Sequence, residues 1–368
     1  MSIRYVSCMH TPRIPNSKTV FSVATTLLTL FASLSHSQST LELDDFNAAY
    51  LQYGETKDSE PVIAREAARR AYELGRELFG VNSERSAMLA INYATLLENE
   101  AESQRFLDEA VEIYQSVFGF GSEAMIDPLM RLGRTLNDQA RQALAIQYYS
   151  RALQLAQSHH GENSSKAGSV ELELASINLR VGDLDQARDR LSRARSILSN
   201  YSDAGSRSGL IRTDLLTGEY YIAREQYQEA IEPLLAALAS FDRYPSAAIT
   251  VRNRISLIRA YENLGEQDQA TVHCLAIGAT RRLGEAENLR PVFTVLPEQI
   301  ANRELSEEIT VEFRVDREGF VRNPEILTVL DDSRLEQSVL GAIEQFRFAP
   351  RFVNGVVVES PNQTYVFR

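Results

Sequence analysis

A helical segment that ends in glycine recurs along the chain about every forty residues. AYELGRELFG, AVEIYQSVFG and ALQLAQSHHG each place an alanine nine positions before a glycine, at Ala71 and Gly80, Ala110 and Gly119, Ala152 and Gly161. The pattern continues without the glycine at Ala194 and Ala237, so the alanines stand 39, 42, 42 and 43 residues apart. A period of this length built from helix pairs is the signature of an α-solenoid, because one pair cannot bury its apolar face alone and stacking supplies the core. Other positions keep the same register. Leu174-Ala175, Asn178, Gly182 and Ala187 precede Ala194, while Thr217-Gly218, Tyr221, Tyr227 and Ala230 precede Ala237. Small residues there let neighbouring helices approach, and Gly182-Asp183-Leu184 reverses the chain. Leu257, Tyr261, Gly265 and Ala270 mark the last unit. Five units are expected over residues 60–283, the first pair only partly recognisable and the unit near Ala94 to Ala110 about three residues short.

The last sixty or so residues change period. Ile309, Val311, Phe313 and Val315 alternate with Thr310, Glu312 and Arg314, which predicts a strand with one buried face. Asp316 to Gly319 reads as a hairpin loop leading to a second strand, about Phe320 to Leu330. Ser333 and Glu336 form a capping-box pattern, and Leu335, Val339, Ala342, Ile343 and Phe346 share one helical face. Pro350 stops that helix, and Asn354-Gly355 turns the chain into a third strand, about Val356 to Phe367. Pro324 and Pro361 fall in the second and third strands. Proline is confined to edge strands or bulges, so the first strand is expected in the middle. The open edges invite an added strand from a partner; the prolines serve equally to prevent aggregation. The fold expected is mainly α, a solenoid followed by a small α+β domain with a three-stranded antiparallel sheet.

These residues carry two resemblances. Val311-x-Phe313-x-Val315-Asp316, Gly319, the Phe346-Arg347-Phe348-x-Pro350 helix exit and Asn354-Gly355 resemble the C-terminal domain of the TonB family. Leu296-Pro297 and Ile300-Ala301 are similar to its short segment ahead of the first strand, whereas Glu307-Glu308 stand where that family usually has glycine. The repeats resemble the tetratricopeptide repeat, in the 42-residue form found in kinesin light chains. The first resemblance implies strand addition by segments of outer-membrane transporters, at an edge carrying Val356, Val358, Thr364 and Val366. The second implies a peptide-binding groove, for which the polar residues of the first helix of each unit, Asn92, Arg131, Arg134, Arg212 and Arg259, are the candidates. Arginines there would suit an acidic or C-terminal carboxylate ligand. A solvated helix face is the plainer reading, and Asp127, Glu171 and Glu173 nearby weaken the charge argument.

The chain opens with Arg4, Arg13 and Lys18, an apolar run from Thr19 to Leu34, and Ser35-His36-Ser37. This is the layout of a secretory signal peptide over 1–37. An uncleaved membrane anchor is the alternative, but the run is shorter than the roughly 20 residues a spanning helix needs. A polar segment over 38–59 and a linker over 284–290 complete the expected plan, with the terminal domain at 291–368. The net charge of −12 argues against general nucleic-acid binding, which wants a basic surface. Cys274 lies at helical spacing among apolar residues and reads as a small core residue.

No nucleophile elbow, phosphate loop, dinucleotide fingerprint or zinc pattern is present. His159-His160 and His273-Cys274 are adjacent pairs, not ligand spacings. No catalytic or metal-binding residue, cofactor or enzymatic activity is expected. The expected role is an exported, periplasmic adaptor with protein or peptide partners and no nucleic acid, touching membranes only through those partners or an uncleaved anchor. The other reading is a TonB-type energy transducer, anchored in the inner membrane and coupling a proton-driven motor to outer-membrane transporters.

Overall fold

The computed structural model describes residues 42–57, 59–136, 141–241, 243–280, 289–297, 308–330 and 332–367. The expected signal peptide over 1–37, most of the expected linker over 284–290, Ile300-Ala301 and Glu307 lie outside the described residues. The chain divides into two compact units, the boundary falling between Pro128 and Leu129.

The first unit holds α1 (42–56), α2 (Pro61–Phe79), α3 (Glu84–Ala94) and α4 (Glu100–Phe118). Helix α1 occupies most of the segment expected to be a polar lead-in. Its Phe46 meets Phe79 of α2 edge-on at 5.1 Å and so makes α1 the partner of α2. Helix α1 therefore completes the unit that carries Ala71, the first of the recurrent alanines and the pair only partly recognisable in the sequence. Across α2 to α4, Tyr72, Tyr93 and Phe106 form one aromatic cluster with centroid distances of 4.9 to 6.2 Å.

Helix α5 (Ile126–Thr135) crosses the boundary, and the second unit continues with α6 (Gln142–His160), α7 (Ser165–Val181), α8 (Leu184–Leu198), α9 (Ala204–Ala223), α10 (Tyr227–Phe241), α11 (Ala248–Leu264) and α12 (Gln267–Gly278). The recurrent alanines, Ala71, Ala110, Ala152, Ala194 and Ala237, are almost completely buried. The recurrent glycines have a second role. Gly80, Gly119 and Gly161 end α2, α4 and α6 at φ of 86°, 84° and 92° with ψ near 140–157°, a region nearly closed to other residues. Each accepts a bond from the serine three positions on, Ser83, Ser122 and Ser164, at 3.2 Å. That serine then caps the following helical turn through its side chain, as the N-cap preference predicts. A Gly-x-x-Ser unit thus both stops one helix and starts the next.

The terminal domain has β1 (Pro291–Phe293), β2 (Ile309–Val315), β3 (Val321–Ile326), α13 (Ser333–Ile343), β4 (Arg347–Phe348), β5 (Arg351–Val353), β6 (Val356–Val358) and β7 (Ser360–Phe367). The main sheet has the order β3-β2-β7, antiparallel, with the proline-free strand in the middle as expected. Ile309, Val311, Phe313 and Val315 are buried together with Val339 and Ile343 of α13. Three details differ from the sequence reading. The second strand is shorter, ending at Ile326. Asp332, not Ser333, is the cap of α13, its carboxylate accepting from the Arg334 and Leu335 amides. The expected third strand is two strands. Asn354 and Gly355, at φ of 53° and 79°, close a tight hairpin of the type Asn-Gly favours. That turn pairs β6 with β5, so Val356 and Val358 are not on the main sheet. Pro324 and Pro361 both sit beside register shifts, next to Asn323 and Asn362 at φ of 52°.

The terminal domain is seated on the last helix pairs. Val292, Phe293 and Ala349 share one apolar core with Leu257, Ile258, Tyr261, Ala270, Cys274 and Ile277. Gly278 permits this approach, since a Cβ there would lie 2.2 Å from the Pro350 carbonyl oxygen. At the centre is Arg347, its side chain 1% exposed, ion-paired with Glu262 of α11 and stacked on the Phe320 ring at 3.7 Å. It also donates to Thr271 Oγ1 at 2.7 Å and to the Glu318 carbonyl at 3.1 Å. Burial raises the Glu262 pKa against the opposing pull of Arg347. Burial likewise pushes the Cys274 thiol up to about 12, the behaviour of a core residue rather than a nucleophile.

Beneath this seat, Arg254 lies 3.2 Å from His273 Nδ1. Guanidinium can only donate, so Nδ1 accepts and the ring is the neutral Nε2–H tautomer. Tyr261 stacks on the ring at 5.8 Å. Burial, then the charge of Arg254, lowers the His273 pKa to about 4.

Two outcomes are expected. Glu262→Leu strands Arg347 in the core and should cost about 3–5 kcal/mol, whereas adding Arg347→Met should recover most of that loss; equal melting points for the wild type and the single variant would contradict the buried pair. The unfolded chain protonates His273 near pH 6.5 and the native chain only near 4. Stability should therefore fall as pH drops through that window, by at most about 3 kcal/mol. Denaturant melts of the wild type and His273→Gln across it should differ in slope, the variant being flatter.

Candidate functional site

The edge of the main sheet can be read residue by residue from its register. Ile309 faces Phe367, Thr310 faces Val366, Val311 faces Tyr365 and Glu312 faces Thr364. The Thr310 amide donates to Thr328 Oγ1 at 3.0 Å and its carbonyl accepts from Leu327 at 2.9 Å. Thr310 therefore spends both backbone groups on the β3 side. In an antiparallel ladder, residues opposite each other either exchange both bonds or neither. Val366, and Thr364 two residues away, consequently turn their N–H and C=O outward, while Tyr365 and Phe367 bond to β2. Among the described residues, no backbone bond outside the sheet reaches Thr364 or Val366. On the inner face Tyr365 and Phe367 pack against Phe346, at 5.0 and 5.9 Å, which fixes the strand that offers this edge.

A second surface lies in the second unit. A cleft of about 890 Å³ is walled by α9, α10, α11 and the stretch Phe293 to Val295. Arg252, Ser256, Arg259 and Asn263 line it, four residues on one stripe of α11. Arg252 is held by Glu219 of α9 through bonds of 2.6 and 2.5 Å. Arg259 is exposed and, among the described residues, has no ion-pair partner.

The expected groove residues do not form one set. Asn92 lies on α3 in the first unit, half-buried. Arg131 is exposed on α5. Arg134 and Arg212 converge on Glu173 of α7, at 3.0 and 3.1 Å, and its side chain is 8% exposed. Burial would raise the Glu173 pKa, but the two guanidinium groups outweigh it and the carboxyl is held below its ordinary value. These two arginines are thus already neutralised, and Arg259 alone of the five lies on the cleft. Arg347, the Arg252–Glu219 pair and the backbone of Thr294 and Val295 are not among the residues the sequence pattern singles out for a site. Each depends on a contact between elements far apart in the chain.

Among the described residues, no group of three or more His, Cys, Asp or Glu could hold a metal ion, and no helix is long and apolar enough to cross a membrane. The apolar run Thr19 to Leu34 lies outside them.

Residues 294–368 match the family model described as the Gram-negative bacterial TonB protein C-terminal. That family is not enzymatic, and its domains contact other proteins, outer-membrane transporters among them. No curated protein matches the chain. Among solved structures, the crystal structure of BtubC (BKLC) from P. vanneervenii is similar at 19% identity, covering 55% of this chain and 93% of that one with a TM-score of 0.40. A likeness of that size carries no functional argument.

Proposed function

We propose that the protein is an exported adaptor of the Gram-negative periplasm. Its helical repeats, of the tetratricopeptide type, hold one partner, and its TonB-like domain takes an extended segment of a second by strand addition, in the service of outer-membrane transport. The observation that carries this reading is the outer edge of β7, where Thr364 and Val366 turn backbone groups outward that are unpaired among the described residues, on a strand fixed by the Phe346 cluster. Backbone bonds then supply affinity and alternate side chains supply selectivity. The transducer reading needs a long span between an anchor and the terminal domain. Here β1 lies directly on the core of the last helix pairs, which favours an adaptor.

Single prolines test the edge. Thr364→Pro and Val366→Pro remove outward N–H groups and should abolish partner capture from a periplasmic and outer-membrane extract while leaving the melting temperature nearly unchanged. Tyr365→Pro removes an N–H bonded to β2 and should lower stability by about 1 kcal/mol or more. Capture that survives the Thr364 and Val366 changes would rule out this edge.

A further inference from the structure

The cleft of the second unit is walled by helices on one side and by an unfinished sheet on the other. Among the described residues, strand β1 has a single partner strand, β4. The chain runs past that pairing into Thr294 and Val295, which line the cleft and bond through their backbones to no described residue. Half-buried Ile222, Val251, Ile255 and Phe293 supply apolar wall. On α11, Asn263 Nδ2 donates to the Arg259 carbonyl at 2.7 Å, which leaves its Oδ1 as an acceptor. Four charged side chains line the cleft, Glu219, Glu225, Arg252 and Arg259. Glu219 and Arg252 satisfy each other, while Arg259 on α11, and Glu225 beyond the end of α9, have no ion-pair partner among the described residues.

We propose that this cleft binds an extended peptide bearing a carboxylate. The peptide adds as a strand along Phe293 to Val295, sets apolar side chains on Ile222, Val251 and Ile255, and places its carboxylate on Arg259. Arginine suits that role because its planar fork meets a carboxylate with two parallel hydrogen bonds. The strand edge supplies main-chain affinity that a helical groove alone lacks. Within the second unit the last repeats give the anion contact and the terminal domain gives the backbone ladder. The proposal rests on the reading of the repeats as a partner-binding arm and names the chemistry of that partner. It concerns a different strand edge from β7.

The probe is a library of short random peptides tethered by their N-termini, in one set with free C-terminal carboxylates and in a matched set amidated and free of Asp and Glu. The purified protein should be retained by the first set and not by the second. Arg259→Gln, an exposed change that leaves the core intact, should weaken the selected peptides at least about tenfold, as expected for loss of a charge-assisted bond. Arg259→Lys should recover part of that loss. Val295→Pro should weaken binding similarly, its melting temperature being measured alongside. Thr364→Pro and Val366→Pro should leave these affinities unchanged. Retention indifferent to the carboxylate, no retention at all, or affinity untouched by Arg259→Gln would overturn the proposal. Loss with Val366→Pro but not with Arg259→Gln would overturn it too, while upholding strand addition at β7.

Discussion

The second unit depends on one buried cation. Arg347 sits at the exit of α13, in the two-residue strand β4, and its charge is placed where no water reaches it. Such a group is tolerated only when its partners surround it, since an isolated buried ion costs several kcal/mol or more. The partners come from both sides of the seat: Glu262 and Thr271 from the last helix pair, the Glu318 carbonyl and the Phe320 ring from the terminal domain. The apolar core around Val292, Phe293 and Ala349 would hold two surfaces together in many relative positions. The guanidinium accepts one. Docking is therefore specific as well as favourable, and the cleft beside α11 inherits its shape from that specificity.

The two open surfaces follow from the same local chemistry used in opposite ways. At β7, proline and a left-handed asparagine disturb the strand at its start, near Pro361 and Asn362, and leave its end regular. The edge is thus blunted at one end and usable at the other. At β1 the strand is short and, among the described residues, pairs with β4 alone, after which the chain passes along the cleft with no further described strand beside it. Both surfaces offer main-chain hydrogen bonding beside apolar wall, the requirement for holding an extended chain.

Much of this architecture was legible in the sequence because it rests on short-range patterns. Alanines at a constant register gave the helix pairs. Alternation over Ile309 to Val315 gave the central strand, and two prolines gave its edge neighbours. What escaped was either compact or distant. Helix α1 hid in a polar stretch because Phe46 finds its partner, Phe79, more than thirty residues away. The β5–β6 hairpin was absorbed into a longer strand because Val356 to Val358 look alike whether they pair locally or join the main sheet; only the turn at Asn354-Gly355 decides. Position on the repeat singles out the groove arginines, but position cannot reveal that a carboxylate on the intervening helix already holds two of them.

That carboxylate has a mechanical meaning. In a stacked array of helix pairs, stability is close to a sum of unit terms and nearest-neighbour terms, so such arrays tend to fray one unit at a time. Glu173 belongs to one unit and is bonded to the unit before it through Arg134 and the unit after it through Arg212. Opening either neighbour leaves the buried charge half-compensated, and opening the middle unit leaves both arginines without it. Three units are thereby joined into one cooperative block, and fraying that begins elsewhere in the array meets a step there rather than a gradual slope.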